Sequence, residues 1–117
     1  MICHNNENGS VCVSANVYTD IAGTAASNCF GVKGMAARSV RDGLYHLLRR
    51  ESMSKGVRIH FHEDDSITID LHIMVDNGVN LVAVGEAIIS EVSYVVNKCT
   101  GTQVRGVNVY VDSVMVG

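Results

Sequence analysis

The sequence predicts an α+β fold, a two-layer sandwich in which helices pack on one face of a mostly antiparallel sheet. Apolar residues recur every three or four positions, as in amphipathic helices, in the segments 15–29, 36–51 and 81–99. They recur at every second position, as in half-buried strands, in the segments 57–75 and 104–111. A short strand signal at 11–13 completes the predicted order β-α-α-β-β-α-β. Because each element has one apolar face, these faces must be buried against one another.

The length and composition fit one small folded domain. The 117 residues predict a single domain over 9–117, preceded by a disordered polar tail at 1–8. Apolar residues make up 47% and charged residues 18%, which is typical of a globular chain. The net charge of −3 argues against a domain dedicated to nucleic acid. A leader peptide and a bilayer-spanning apolar run are both missing from the sequence, which predicts a cytoplasmic protein that meets membranes only at their periphery.

The first predicted helix has a face of small residues. Ser14 is a suitable N-cap, and Gly31 is placed where a helix C-terminal glycine belongs. One face consists of residues four positions apart: Val17, Ile21, Ala25 and Cys29. The face is small, so another element can approach its backbone closely; the small residues are Ala22, Gly23, Ala25 and Ala26.

The second predicted helix, 36–51, combines an apolar stripe with basic residues. Between Lys33 and Arg58 there are seven basic and two acidic residues, a net charge of +5 in an otherwise acidic chain. Basic amphipathic helices dock on partner grooves, anionic membranes or phosphates. The alternative is that the stripe faces the core and the arginines are solvated. The first predicted contact surface consists of Arg38, Arg41, Arg49 and Arg50.

The segment 57–75 is predicted to be an antiparallel hairpin with its turn at 63–65. Matching the apolar faces sets three facing pairs: Phe61 with Ile67, Ile59 with Ile69, and Val57 with Leu71. The same register places Arg58 opposite Asp70 on the outer face, which is a favourable cross-strand pair.

The outer face of this sheet is the second predicted contact surface. Its members are Arg58, His60, His62, Asp70, His72 and Tyr110. The spacing of His60 and His62 is one that metals use, and carboxylates follow directly. However, His72 lies about four positions along the strand from His60, too far to share a metal ion. We therefore expect solvated sheet residues and no metal site.

The third helix and the last strand complete the predicted core. Asn80 is a predicted N-cap and Gly101 a predicted stop for the helix. Val107, Val109 and Val111 are predicted to point inward from the last strand. Representative predicted core residues are Ile59, Phe61, Ile69, Leu71, Ile88 and Val109.

The sequence offers no recognisable catalytic pattern. The four cysteines, Cys3, Cys12, Cys29 and Cys99, form no CxxC pair, and we expect free thiols in a reducing compartment. Of these, Cys29 and Cys99 are placed on buried helix faces. P-loop, GxGxxG, GxSxG and HExxH patterns are missing, as is a nucleophile with a nearby base. The prediction is a protein that is not an enzyme and needs no cofactor.

One short motif is compatible with nucleic acid. Gly31, Val32, Lys33 and Gly34 form a GxxG between two predicted helices, the position at which KH domains hold an RNA backbone. A KH-like RNA-binding module is therefore the alternative function, although the acidic remainder of the chain makes nucleic acid an unfavourable partner. The simpler interpretation is a C-terminal glycine followed by a turn.

The order of several short motifs resembles the alkaline shock protein family, the envelope stress response proteins of Gram-positive bacteria, including its YloU-like branch. The resemblance covers roughly residues 10–114. The motifs that carry it are Ile21-Ala22-Gly23, Ala25-Ala26, Gly31-Val32, Gly34-Met35, Lys55-Gly56-Val57, Ile69-Asp70-Leu71, Gly78-Val79-Asn80, Thr100-Gly101 and Val107-Asn108-Val109. The segment 36–54 is the family's variable part, so the basic helix is expected to be particular to this chain.

The resemblance implies a non-enzymatic interaction or scaffold protein of cell-envelope homeostasis. Its implied partners are a membrane-anchored relative or a dihydroxyacetone-kinase-like fatty acid kinase, met at the membrane periphery. It transfers no catalytic residues, because the family has none. Self-association is a separate expectation from the fold, since one face of the sheet would otherwise remain open.

Overall fold

A computed structural model of the chain describes residues 1–35 and 56–115. It confirms the α+β class, with two helices and six strands in these ranges. The elements are β1 (Ile2–Asn6), β2 (Gly9–Val13), α1 (Ala15–Ser27), β3 (Val32–Met35), β4 (Val57–Phe61), β5 (Ser66–Asp76), α2 (Leu81–Thr100) and β6 (Gln103–Met115). The predicted helix at 36–51, with its four arginines, lies outside the described residues.

The central strand of the main sheet is β5, whose two edges are both occupied. Its neighbour β6 runs parallel to it along its whole length, from Ser66 to Asp76. The strands β4 and β3 pair with it antiparallel, β4 over Ile67–Leu71 and β3 over Ile73–Val75. Because a strand has only two edges, β3 and β4 follow one another along the edge that β6 leaves free. The sheet is therefore three strands wide. Two of its three strand pairings are antiparallel, in agreement with the prediction, and the longest pairing, β5 with β6, is parallel.

The predicted hairpin register is confirmed at every position. Phe61 is opposite Ile67, and Arg58 is opposite Asp70.

The turn of this hairpin is held by hydrogen bonds on both of its sides. The backbone N–H of Asp65 donates to the carbonyl of His62. The carboxylate of Asp64 accepts hydrogen bonds from both the hydroxyl and the backbone N–H of Ser66. These two bonds lower the pKa of Asp64, and the guanidinium of Arg105, 3.3 Å from the same carboxylate, acts in the same direction.

The core lies between the helices and one face of the sheet. Both helices cover this face: α1 contacts β3 and β4, α2 contacts β6, and the two helices contact each other. The central strand contributes its odd-numbered side chains, all fully buried: Ile67, Ile69, Leu71, Ile73 and Val75. The long helix contributes a stripe at helical spacing: Val84, Ile88, Val92 and Val96. Asn80 caps this helix by accepting from the N–H of Ala83, and Gly101 ends it with a positive φ, as predicted.

Three of the predicted core residues, Ile59, Phe61 and Val109, lie at its margin. Phe61 is 38% exposed and packs edge-on against the buried ring of Tyr18. It ends the short strand β4, where few neighbours can cover it. Val109 is half-buried, because β6 has a described neighbour strand on one side only.

The N-terminal segment corrects two predictions. The residues predicted as a disordered tail form β1, which pairs with β2 in a separate two-stranded sheet. Ile2 is buried in the core, and the side chain of Asn6 accepts hydrogen bonds from the backbone at the turn. Cys3 and Cys12 face each other across the hairpin and form a disulfide, so they are not free thiols. The strand escaped prediction because its residues are mostly polar on both faces.

The remaining cysteines and the first helix also differ from expectation. Cys99 is exposed, not buried on the apolar face of its helix. The first helix ends at Ser27, so half-buried Cys29 lies beyond it, where its thiol has a pKa raised by burial and by the nearby charge of Glu91. Ser14 occupies the N-cap position but makes no capping hydrogen bond with its side chain.

Candidate functional site

The outer face of the sheet carries a hydrogen-bonded row of polar side chains across three strands. Asp70 on β5 is at its centre. One carboxylate oxygen lies 2.8 Å from Nε2 of His60 on β4, and the other accepts a 2.9 Å hydrogen bond from the amide of Asn108 on β6. The register explains the row, because Asn108 is directly opposite Asp70 in the parallel ladder.

The local environment of Asp70 acts on its pKa in two directions. Partial desolvation raises the pKa, whereas the hydrogen bonds from Asn108 and His60 and the nearby imidazoles lower it. The lowering prevails, so the pKa of this carboxyl lies below its ordinary value. Asp70 is therefore a fixed negative charge in the middle of a polar sheet face.

A second cluster lies next along the same face. The ring of His72 stacks on that of Tyr110, with 4.8 Å between the ring centroids, and its Nδ1 lies 2.9 Å from a carboxylate oxygen of Asp112. Tyr110 remains 46% exposed, so its ring can also contact another molecule. An ordered, half-exposed aromatic ring is a typical anchor in protein interfaces.

The structure brings together part of the predicted outer-face surface. His60, Asp70, His72 and Tyr110 belong to the two clusters. His62 lies at the end of the sheet, where its Nε2 is 2.6 Å from the hydroxyl oxygen of Thr68. Arg58 is exposed and lies opposite Asp70, as predicted. The carboxylate oxygens of Asp70, however, are within hydrogen-bonding distance of His60 and Asn108. The described residues contain no group of three or more side chains that could hold a metal ion.

A cleft that the sequence analysis missed lies at the other end of the sheet, where α2 begins. Its volume is about 920 Å³. The lining comes from the turn after α1, from β3, from the β5–α2 turn with the first residues of α2, and from the last residue of β6, namely Phe30, Lys33, Asp76, Asn77, Gly78, Val79, Asn80, Ala83, Val84 and Met115.

Two glycines shape the cleft. Gly31 and Gly78 both have φ of +90°, a conformation that other residues rarely adopt. At Gly31 a Cβ atom would lie 3.1 Å from Cγ2 of Val84 and 3.3 Å from Cγ1 of Val79. The chain after α1 therefore approaches the start of α2 closely, and this approach forms one wall of the cleft.

The rim of the cleft exposes large apolar side chains. Phe30 is 88% exposed and Met115 is 47% exposed, and both line the cleft, whereas Val82, in the first turn of α2, is 71% exposed but lies outside the lining. Leu81 and Val114 are also exposed at this end of the molecule. Exposed apolar patches of this kind mark contact sites for other molecules. In the sequence, Phe30 is a single aromatic residue before Gly31. It belongs to no periodic apolar pattern, so the sequence did not indicate a contact site there.

The GxxG motif does not have the setting that a KH domain requires. Val32–Met35 is a strand paired with β5, so Val32, Lys33 and Gly34 of the motif lie in a strand and not in a loop. Gly31 lies in the turn before it, and Lys33 forms a 3.3 Å ion pair with Asp76. The expectation of a loop between helices was wrong, because four residues without alternating polarity carried no strand signal.

The described part of the chain has no helix whose length and apolar character would allow it to cross a membrane. The fold and its surfaces define a small α+β protein with a bonded polar sheet face and an apolar-rimmed cleft. A family model described as "ASP23 family, cell envelope-related function" matches residues 3–116. The chain belongs to this family, the alkaline shock protein family, which confirms the resemblance in the sequence.

Three bacterial proteins that bear no assigned function are similar to this chain. The uncharacterised protein YloU of Bacillus subtilis strain 168 is 38% identical over 109 residues, covering 92% of this chain and 90% of its own length. The uncharacterised proteins Spy1614 and Spy1535 of Streptococcus pyogenes serotype M6 are 32% and 25% identical. They cover 96% and 92% of this chain, and 93% and 80% of their own lengths.

Among solved structures, two of a MamM CTD variant are similar to this chain. Their TM-scores are 0.49 and 0.48, with 16% and 18% sequence identity. The first covers 83% of this chain and 92% of the MamM chain, and the second covers 86% and 84%.

Proposed function

We propose that this chain is a non-enzymatic interaction protein of the cell envelope, which binds a protein partner at the cleft where α2 begins. The observation that carries the proposal is the apolar rim of this cleft, with Phe30 almost fully exposed. Partner binding would remove this apolar surface from water, which is the main favourable term in protein association.

The side chains of the cleft suit contact better than catalysis. Its charged groups are Lys33 and Asp76, which already form an ion pair with both side chains about half exposed. Its amides are Asn77 and Asn80, and the latter is engaged in capping α2. None of the described lining residues is a cysteine, serine or histidine. An apolar anchor from a partner, ringed by these polar groups, would resemble the centre and rim of a protein interface.

The family description places the function at the cell envelope in general terms. We propose more specifically that a membrane-anchored relative holds this chain at the membrane periphery, or that the chain acts together with a fatty acid kinase of the dihydroxyacetone-kinase type. The arginines at 38, 41, 49 and 50 stay a predicted second contact for such a partner.

The proposal is tested in cells that lack the protein and are challenged by an alkaline shift. The double variant Phe30→Ser, Met115→Ser should fail to restore growth, although it should fold, because both side chains line the cleft and are exposed in the wild type. The matched control is Tyr94→Ser, which removes a 62% exposed aromatic ring from the later part of α2. Full restoration by the cleft variant, at wild-type protein levels, would contradict a role for the cleft.

A further inference from the structure

The outer edge of β6 is a long strand edge. The strand has 13 residues and is hydrogen-bonded to β5 along one edge. Within residues 1–35 and 56–115, no strand pairs with its other edge. Such an edge presents a row of backbone donors and acceptors to any strand of matching shape.

The valines of β6 show the consequence of this edge position. Val104, Val109 and Val111 face the core but are only partly buried, whereas the core-facing side chains of β5 are completely buried. Strand addition at the open edge would cover these valines further. The edge therefore combines unused backbone groups with apolar side chains that still contact water.

We propose that β6 pairs antiparallel with β6 of a second copy of this chain, about a two-fold axis through Asn108. A two-fold axis makes the strand its own complement, so one surface serves both copies. In this register Val107 lies opposite Val109 of the partner subunit. Side chains that face the core in one copy therefore continue the apolar face of the other copy, as sheet pairing requires.

Gly106 supports the register. It lies within the strand, outside the positive-φ region, and a Cβ atom there would meet nothing within 4 Å, so the fold of the single chain does not need a glycine. Strand glycines often mark a close approach by another group. In the proposed dimer, Gly106 is opposite Tyr110 of the partner subunit, and aromatic rings commonly cover cross-strand glycines.

The charges at the two ends of the strand favour the antiparallel direction. Arg105 lies near the beginning of β6 and Asp112 near its end. Antiparallel pairing brings each one close to the opposite charge of the second copy, whereas parallel pairing would place like charges together. Both groups also have partners in their own chain, Asp64 for Arg105 and His72 for Asp112. These two charges therefore select the direction and the register of the strand pairing.

The first test is the mass of the protein in solution, measured by analytical ultracentrifugation over a dilution series that spans the micromolar range. The wild type should reach twice the chain mass of 12.6 kDa. Gly106→Lys should weaken dimerisation at least about tenfold, because its long side chain takes the space beside Gly106 that the ring of the partner's Tyr110 fills in the proposed dimer. Gly85→Lys is the matched control, since a Cβ atom at this glycine also meets nothing.

The second test fixes the register. In a Cys99→Ser background, Asn108→Cys should form a disulfide with the same position of the second copy under mild oxidation, and Ser113→Cys, far from the axis, should not.

A wild type that is monomeric at the highest concentration would overturn the proposal. So would a dimer whose stability is unchanged by Gly106→Lys and that forms no disulfide through position 108. A link from position 108 to a different protein in cells would also overturn it. The inference is independent of the cleft, because Phe30→Ser should keep the dimer mass.

Discussion

The hydroxyl groups of Tyr18 and Thr102 are buried together, with their oxygens 2.6 Å apart. This contact joins α1 to the link between α2 and β6, 84 residues later. A buried polar group without a partner is costly, so each hydroxyl depends on the other. Neither partner could be identified from the sequence, because the pair is set by how the helix lies on the sheet.

Tyr18→Phe should lower the free energy of unfolding by about 1–3 kcal/mol, because it leaves the hydroxyl of Thr102 without its partner. The measurement is urea unfolding of the two single variants, Tyr18→Phe and Thr102→Val, and of the double variant. The double variant should lose less than the sum of the single losses. Strict additivity would show that the two hydroxyls do not interact.

Asp70 should make the stability depend on acid pH. Its pKa is lowered in the folded chain, so its contribution is fully present above the ordinary carboxyl pKa of 3.8 and is lost as the pH falls through the lower folded value. Asp70→Asn should remove this part of the acid dependence. Melting temperatures of both proteins between pH 7 and about pH 2 measure it. Parallel curves for the two would contradict the assignment.

At the scale of the secondary-structure elements, one wall of the cleft depends on a single glycine, Gly31. Gly31 was predicted to end a helix, and it instead lets the chain pass close to Val84 and Val79.

The hairpin of β4 and β5 was predictable in full, because apolar matching and the Arg58–Asp70 alignment both require one register. The strands β1 and β3 were not predictable, because neither alternates in polarity.

Gly31→Ala should destabilise the fold more than Gly78→Ala. Both positions have φ of +90° and share the strain of a left-handed residue, about 1–2 kcal/mol. Only at Gly31 would the new methyl group also press on Val84 and Val79. Comparison of the thermal unfolding of the two variants separates the cost of backbone strain, which both share, from the cost of the new side-chain contacts at position 31. Equal losses of stability would mean that α2 shifts freely and that the wall of the cleft is not rigid.

On the scale of the whole molecule, the described part of the fold leaves three kinds of surface open to partners: a bonded polar sheet face, a strand edge and an apolar cleft. The sequence predicted the first, because parity alone places His60, Asp70, His72 and Tyr110 on one face. It could not predict the cleft, whose lining residues come from three separate stretches of the chain. Membership of the family connects the molecule with a cell envelope-related function.

The most direct test of the central claim is photo-crosslinking in living cells from position 30. A photoreactive phenylalanine analogue at Phe30 should capture one defined protein, and Met115→Ser, on the other side of the cleft, should reduce the adduct. The same analogue at Tyr94 should not capture that protein. Equal capture from both positions, capture of nuclease-sensitive RNA, or no adduct from position 30 would contradict a partner-binding cleft.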